Sequence, residues 1–301
     1  MELVRISVRR SLAAAVLAAI PLVTAAGLSA ASAADPFVAG QPATRQVGPP
    51  DAAAPSVDHA RRLLRALGLR DTPGAAALRV EDLLESATYD EVTFRDERGR
   101  PTLLVRLRPD GSLRHLARLD APDTTAPRID AGRAASRAKA VATASDVPHP
   151  GEPVVRDDPS SGWAVAWPRV EKSVPVLGDG TWIRLDRDGT VRSVAITAAA
   201  LAGQPSAALS ELAARQLAER ALDRLVVEPT RPQARIADAR LAWVAPNDTF
   251  DASRPDAPDP TRRLAWVIRV QTTGPLAERM RGFELDLDAG TGELLGGDVL
   301  E

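Results

Sequence analysis

The chain of 301 residues contains no cysteine. This absence excludes a lipid-modified cysteine anchor, disulfide bonds, thiolate catalysis and cysteine-ligated zinc or iron–sulfur sites. Lysine is nearly absent too, since Lys139 and Lys172 are the only two, and the net charge of −2 gives none of the basic excess that nucleic-acid-binding proteins carry. We therefore expect stability to come from ordinary packed cores, and we expect no nucleic-acid partner.

The sequence also lacks the residue patterns of common hydrolases. Its three histidines are His59, His115 and His149, and none is spaced as H-x₃-H or HExxH, the patterns that place two histidines on one side of a zinc ion. There is no G-x-S-x-G elbow for a serine nucleophile. Without a nucleophile beside a base, the sequence predicts a protein that is not an enzyme.

The N-terminus has the pattern of a secretory signal peptide. A basic start at 1–10 is followed by an apolar stretch at 12–28 and by the small residues Ala-Ser-Ala at 31–33. We predict that residues 1–33 are removed and that the exported product begins at or near Ala34. The protein is then secreted or extracytoplasmic, as a bacterial cell-envelope protein.

The alternative interpretation of this segment is an uncleaved membrane anchor. Pro21 and Gly27 interrupt the apolar stretch, whereas a spanning helix needs about 20 apolar residues. We expect no stable membrane span after cleavage. Arg9 and Arg10 leave twin-arginine export open beside the general secretory route.

After a Pro- and Ala-rich segment at 34–55, predicted to be a flexible linker, helical and strand patterns alternate. Helices are expected from Ser56 to Gly68, from Ala131 to Ala144 and onward from Pro205, each followed by short segments with alternating apolar residues. The phrases RPDGSLRHL and DRDGTVRSV match in kind at nearly every position, which indicates an internal repeat.

These patterns predict an α+β protein of repeated modules, each a helix packed on an antiparallel β-meander. The predicted modules are 56–120, 121–200 and 201–301, after the signal peptide and the linker. Within each module we expect one hydrophobic face of the sheet to be covered by its own helix.

The strand and turn motifs of the last two modules resemble a known family. The strand LAWVIRV at 264–270, followed by ELDLDAGTGEL at 284–294, resembles the PepSY module, which also occurs in the propeptides of thermolysin-type metallopeptidases. The phrase VPVLGDGTW at 174–182 resembles the propeptide version, with Ser173 where that version has glycine. The resemblance covers roughly residues 127–300 and is weak over 57–120.

The resemblance implies a one-helix, antiparallel-sheet module of cell-envelope proteins, some of which inhibit or chaperone peptidases. No peptidase domain follows in this sequence, so we expect the modules to act on another chain, with a secreted metallopeptidase as a candidate partner. Binding would use strand addition or docking of a free sheet face. Two alternatives stay open: a structural or sensor segment of the envelope without a defined ligand, and metal or small-molecule binding between modules.

Two acidic turns are candidate calcium sites. Asp186 with Asp188, and Asp286 with Asp288, place carboxylates next to glycines, and calcium prefers such oxygen ligands. Neither sequence has the complete spacing of a calcium loop, and Asp and Gly are also the residues that tight turns require. A structural turn is the favoured interpretation, and no cofactor is expected.

The five tryptophans divide into core and contact candidates. At strand alternation a tryptophan usually faces a covering helix, and Trp266, in phase with Ile268 and Val270, is expected to be deeply buried. Trp182 is out of phase with Ile183 and Leu185, so we expect it on the opposite face of its strand. Trp182 is therefore the candidate contact residue for a partner.

Overall fold

The structure is a computed structural model. It describes residues 44–47, 54–70, 72–82, 87–123, 125–158, 162–203, 206–226, 230–247, 249–250, 261–278 and 280–300. The predicted signal peptide lies outside the described residues, as does most of the predicted linker. The elements in chain order are β1 (Thr44–Gln46), α1 (Ala54–Ala66), β2 (Gly74–Asp82), β3 (Ala87–Arg95), β4 (Pro101–Leu107), β5 (Leu113–Arg118), α2 (Ala131–Ala144), β6 (Val154–Asp158), β7 (Gly162–Glu171), β8 (Val174–Asp186), β9 (Val191–Thr197), β10 (Leu201–Ala202), α3 (Glu211–Leu225), a 3₁₀ turn (Arg231–Gln233), β11 (Ala234–Val244), β12 (Arg262–Thr272), α4 (Gly274–Ala277), β13 (Gly282–Asp288) and β14 (Leu294–Leu300).

The chain divides into two compact units. The first unit comprises Gln41–Arg169 and Asp179–Ala198, and the second comprises Val170–Gly178 and Ala199–Glu301. In the first unit, neighbouring strands pair antiparallel in the order β1-β2-β3-β4-β5-β9-β8, and β8 also pairs with β7, which pairs antiparallel with β6. Helices α1 and α2 supply Leu64 and Ala138 to its hydrophobic core.

A glycine two residues after helix α1 allows the chain to leave the helix. The amide of Leu69 donates to the carbonyl of Leu64, and Gly68 takes a φ of 70°, a left-handed conformation that suits glycine. The start of this helix differs from the expectation, because Ser56 lies inside the helix and its hydroxyl donates to Asp90 over 2.6 Å. Helix α2 has the predicted bounds, with Asp130 as its N-cap.

The second unit is built on four antiparallel strands in the order β11-β12-β13-β14. Helix α3 covers one face of this sheet, where Ile268, Val270, Phe283 and Leu285 pack against Ala218 and its neighbours. Ser210 caps the helix by accepting a hydrogen bond from the amide of Ala213 over 3.2 Å. The alternating apolar residues of β12 and β13 thus share one core.

The tryptophan expected to be deepest in this core is not the deepest. Trp266 is half-buried, packs against the core that α3 covers, and donates its indole N–H to the carbonyl of Leu209 over 3.0 Å. Trp243 on β11 is fully buried instead. Trp266 finds an acceptor for its indole N–H near the edge of the core, whereas the buried indole N–H of Trp243 has no hydrogen-bond partner among the described residues.

Asn247 covers part of the outer edge of β14. Its side-chain oxygen accepts from the amide of Gly297, and its side-chain amide donates to the carbonyl of Gly297, both over 3.1 Å. Its own backbone amide donates to the carbonyl of Leu295 over 2.9 Å. One asparagine therefore fills hydrogen-bonding positions that a neighbouring strand would otherwise use.

The predicted fold class of separate helix-on-meander modules is wrong. Over the described residues, fourteen strands form mixed β-sheet, accompanied by four short helices. Strand β5 pairs with β9 across the predicted boundary near 120, and β8 pairs parallel with β11 across the predicted boundary near 200. Edges that the modular prediction left unpaired are satisfied by strands distant in sequence. In addition, the segment predicted as a linker contains strand β1.

The turns of the repeated phrases share the same local geometry. In both, the aspartate before the glycine accepts from the amide two residues on, at 2.8 Å, in the pairs Asp110–Ser112 and Asp188–Thr190. Gly111 and Gly189 have φ values of 85° and 86°. The likeness is that of two hairpin turns with the same residue requirements.

Candidate functional site

Trp182 lies on the face of β8 that points away from the core of the first unit. Ile183 and Leu185 are buried in that core, whereas Trp182 is half-buried and pairs across the sheet with Ala195. Its indole nitrogen is buried and has no hydrogen-bond partner in the described part of the chain. The structure therefore places the ring as the alternation indicates, with one polar group unsatisfied.

A row of side chains continues from Trp182 across this outer face of the first unit. Backbone register places Ala195, His115, Arg106 and Glu91 in line on successive strands. Arg106 forms a salt bridge with Glu91 at 2.9 Å, and burial together with the nearby Arg106 charge lowers the pKa of His115 to about 4. His115 is consequently neutral near physiological pH and too weak a base for general-base catalysis there.

The other two histidines do not join this row. His59 is on α1, where its ring lies near Gly111. His149 lies in the loop after α2, with its ring edge-on to Trp167 at a centroid distance of 5.9 Å. Among the described residues, no group of three or more histidine, aspartate or glutamate side chains is arranged to hold a metal ion.

The first candidate calcium turn has its carboxylates committed to other bonds. Asp186 accepts two hydrogen bonds of 2.8 Å from Arg192 and one of 2.9 Å from Arg118. Asp188 caps its turn by accepting from the amide of Thr190. These contacts connect β5, β8 and β9 and account for both aspartates through structure alone.

The second candidate turn separates two aspartates with opposite environments. Asp288 accepts from the amides of Gly290 and Thr291 and forms an ion pair with Arg263 at 2.6 Å. Burial alone would raise the pKa of Asp288, but these hydrogen bonds and the arginine hold it below its usual range. Asp286, two residues earlier, makes no such contacts with the described residues.

Asp286 belongs to a cluster of carboxylates that the sequence analysis missed. It is 8% exposed, and on the same sheet face Glu284 pairs directly with Asp298 on β14. Burial and the charges of Asp298 and Glu284 raise the pKa of Asp286 to about 7, and burial and Glu284 raise that of Asp298 to about 6. Arg240 lies 3.6 Å from Glu284 and only partly offsets the repulsion. We name Glu284, Asp286 and Asp298 the carboxyl cluster.

The sequence signal for this cluster is ambiguous. In GFELDLD, apolar and acidic residues alternate, a pattern typical of a strand with one face in water. The structure buries both faces of β13, since all seven residues are buried. Perturbed carboxyl groups of this kind are found at functional sites but also in structural charge networks.

Comparison with known proteins gives no basis for assigning a function. No family model and no curated protein matches the chain. A solved structure, the Bacillus megaterium YpeB C-terminal domain, matches at 12% identity with a TM-score of 0.43, covering 85% of this chain and 99% of that one. The resemblance to PepSY modules therefore rests on the sequence motifs. No helix in the described ranges is long and apolar enough to cross a bilayer.

Proposed function

We propose that the protein is an exported, non-catalytic module that binds another protein in the cell envelope, with a secreted peptidase as the first partner to test. The observation that carries this proposal is Trp182. A partly exposed indole with an unsatisfied N–H, on the sheet face away from the core, suits a protein contact because tryptophan combines large apolar area with one hydrogen-bond donor.

The neighbours of Trp182 support binding over catalysis. His115 is held neutral, and Arg106 is engaged by Glu91 and by Asp82 at 3.3 Å. A partner covering this face would add apolar contact at Trp182 without having to separate these ion pairs. If its surface turned the ring or reached its edge, it could also supply the missing acceptor, and an unsatisfied buried donor costs about 1–3 kcal/mol.

Affinity capture tests the proposal. Tagged protein beginning at Ala34 is immobilised and exposed to culture supernatant and envelope extract, and a captured partner is identified, purified and titrated. We expect Trp182→Ala to weaken binding about tenfold or more, as truncated interface tryptophans do. Trp182→Phe keeps an aromatic ring but removes the N–H, so its affinity should lie between those of wild type and Trp182→Ala. Failure of the wild-type protein to retain any partner would refute the proposed function. Equal binding by wild type and Trp182→Ala would show that Trp182 is not a contact residue.

Export is tested separately by intact-mass analysis. Protein recovered from culture supernatant should have the mass of a chain beginning at or near Ala34. Membrane-bound protein that still contains residues 1–33 would contradict the proposal of a cleaved signal peptide.

A further inference from the structure

A shallow groove runs between α3 and the last two strands of the second unit. Its volume is about 380 Å³, within the range of ligand-binding clefts. The apolar part of its lining consists of Leu217, Ala221, Leu287 and Leu294, of which Leu287 is 2% exposed and Leu217 and Leu294 are half-buried. We name this cleft the α3 groove.

A glycine shapes one end of the α3 groove. Gly292, in the turn between β13 and β14, has a φ of 76°, and a Cβ atom placed there would lie 2.5 Å from the side chain of Leu217. A larger residue would strain this left-handed backbone and would displace the end of the Leu217 side chain. The apolar floor is thus fixed by both the helix and the turn.

The charges along α3 are unevenly compensated. Glu211 pairs with Arg215 at 2.8 Å, and both Glu219 and Asp223 pair with Arg231. Over the described residues, every acidic side chain of α3 is thus engaged by an arginine.

Two other arginines of α3, beside the groove, form no ion pair with a described carboxylate. Arg220 and Arg224 are exposed and line the groove, and neither has a carboxylate partner in the described part of the chain. They are four residues apart, so their Cα atoms are separated by about 6 Å along the helix axis. The groove thus combines an apolar floor with two guanidinium groups on one side that pair with none of the described carboxylates.

We propose that the α3 groove binds a segment of a partner polypeptide that carries an apolar side chain flanked by carboxylates. The apolar side chain would cover Leu217 and Leu294, and the carboxylates would accept from Arg220 and Arg224. Arginine suits this role because its planar fork of donors matches a carboxylate. The inference deepens the proposed binding function and rests on it for the identity of the partner as a protein.

A random heptapeptide library displayed on phage and panned on the immobilised protein tests the chemistry directly. We expect recovered peptides to combine Asp or Glu with Leu, Ile or Phe. Synthetic copies should bind the double variant Arg220→Gln, Arg224→Gln about tenfold more weakly, because hydrogen bonds to charged groups contribute more to affinity than hydrogen bonds between neutral groups. Arg62→Gln with Arg65→Gln, on exposed arginines of α1, is the matched control and should bind as wild type.

A charge-reversal variant distinguishes loss of the binding site from misfolding of the protein. Arg220→Glu with Arg224→Glu should lose the acidic peptides and select basic ones, which an unfolded protein does not do. Recovered peptides without acidic residues, or acidic peptides that bind the Gln double variant as well as wild type, would overturn the inference.

The experiments distinguish a failure of the α3 groove proposal from a failure of the proposed function. If a captured envelope partner depends on Trp182 but binds the Gln double variant unchanged, the α3 groove is refuted as its docking site and the proposed function stands. If no partner is captured while acidic peptides still require Arg220 and Arg224, the groove stands and the proposed function falls.

Discussion

Replacing Asp286 with asparagine should stabilise the second unit at alkaline pH. Asp286 is 8% exposed and faces Glu284 and Asp298, with Arg240 on β11, Arg269 on β12 and Asp238 on β11 as the other charged groups around the cluster. Asparagine keeps the size of the side chain and removes the ionisation. The change therefore isolates the cost of placing a negative charge at this position.

The sign of the effect follows from proton linkage. The folded pKa of Asp286 is about 7, against an ordinary value of 3.8, so the folded state holds the proton more tightly than the unfolded state. The stability that the protonated carboxyl provides is complete below about pH 4 and is lost as the pH rises through about 7. Three pKa units correspond to an upper limit of about 4 kcal/mol near pH 8, and less than half of that near pH 5.

Urea denaturation near pH 5 and near pH 8 measures this difference. Hydrogen–deuterium exchange of the β13 peptide assigns the transition to the second unit. Wild type should be less stable near pH 8 than near pH 5, and Asp286→Asn should recover the part of this loss that comes from Asp286. The part that comes from Asp298, whose pKa is also raised, should remain in both proteins. Asp58→Asn, on the exposed side of α1, is the control and should keep the same loss of stability between the two pH values as wild type. A wild-type stability that stays level or rises between the two pH values would refute the reasoning.

Two further predictions concern other positions. Trp266→Ala should cost about 3 kcal/mol, through lost packing and the lost hydrogen bond to Leu209, whereas Trp182→Ala should cost about 1 kcal/mol; chemical denaturation of both variants checks this, and equal costs would contradict it. Asp90→Asn should cost about 1–3 kcal/mol at neutral pH. Burial opposes the charge of Asp90, but hydrogen bonds from Arg79 and Ser56 outweigh it and lower its pKa, so its stabilisation is present above the usual pKa and lost as the pH falls through the lowered value. A cost that is the same in acid and at neutral pH would show that the carboxylate is not the stabilising form.

The elements that depend on local sequence were predictable. Period-two alternation placed Ile268 and Val270 beside Phe283 and Leu285 on one core face, and helical spacing located α2 to the residue. Strand β2 was missed because GAAALRVED has small residues and little alternation. It is positioned by pairing with β3, along which its nine residues are in continuous register.

The long-range pairings and the carboxyl cluster were not predictable. The parallel contact of Val176 with Trp243 joins strands 67 positions apart, and no local pattern encodes such a partner. Asp286 reads as a solvent-side residue of an alternating strand, and only the tertiary cover on its face makes it a buried acid. Trp182 could be assigned to a face because that assignment depends on phase alone.

The asparagine at the edge of β14 affects how copies of this protein meet. An open strand edge is a template on which a second chain can grow the sheet, and proteins commonly block such edges with charge, proline or a bulge. Here the amide group of Asn247 already holds both backbone groups of Gly297. An incoming strand would exchange two intramolecular hydrogen bonds for two intermolecular ones and lose translational freedom as well. Crowded copies therefore gain nothing by polymerising through this point.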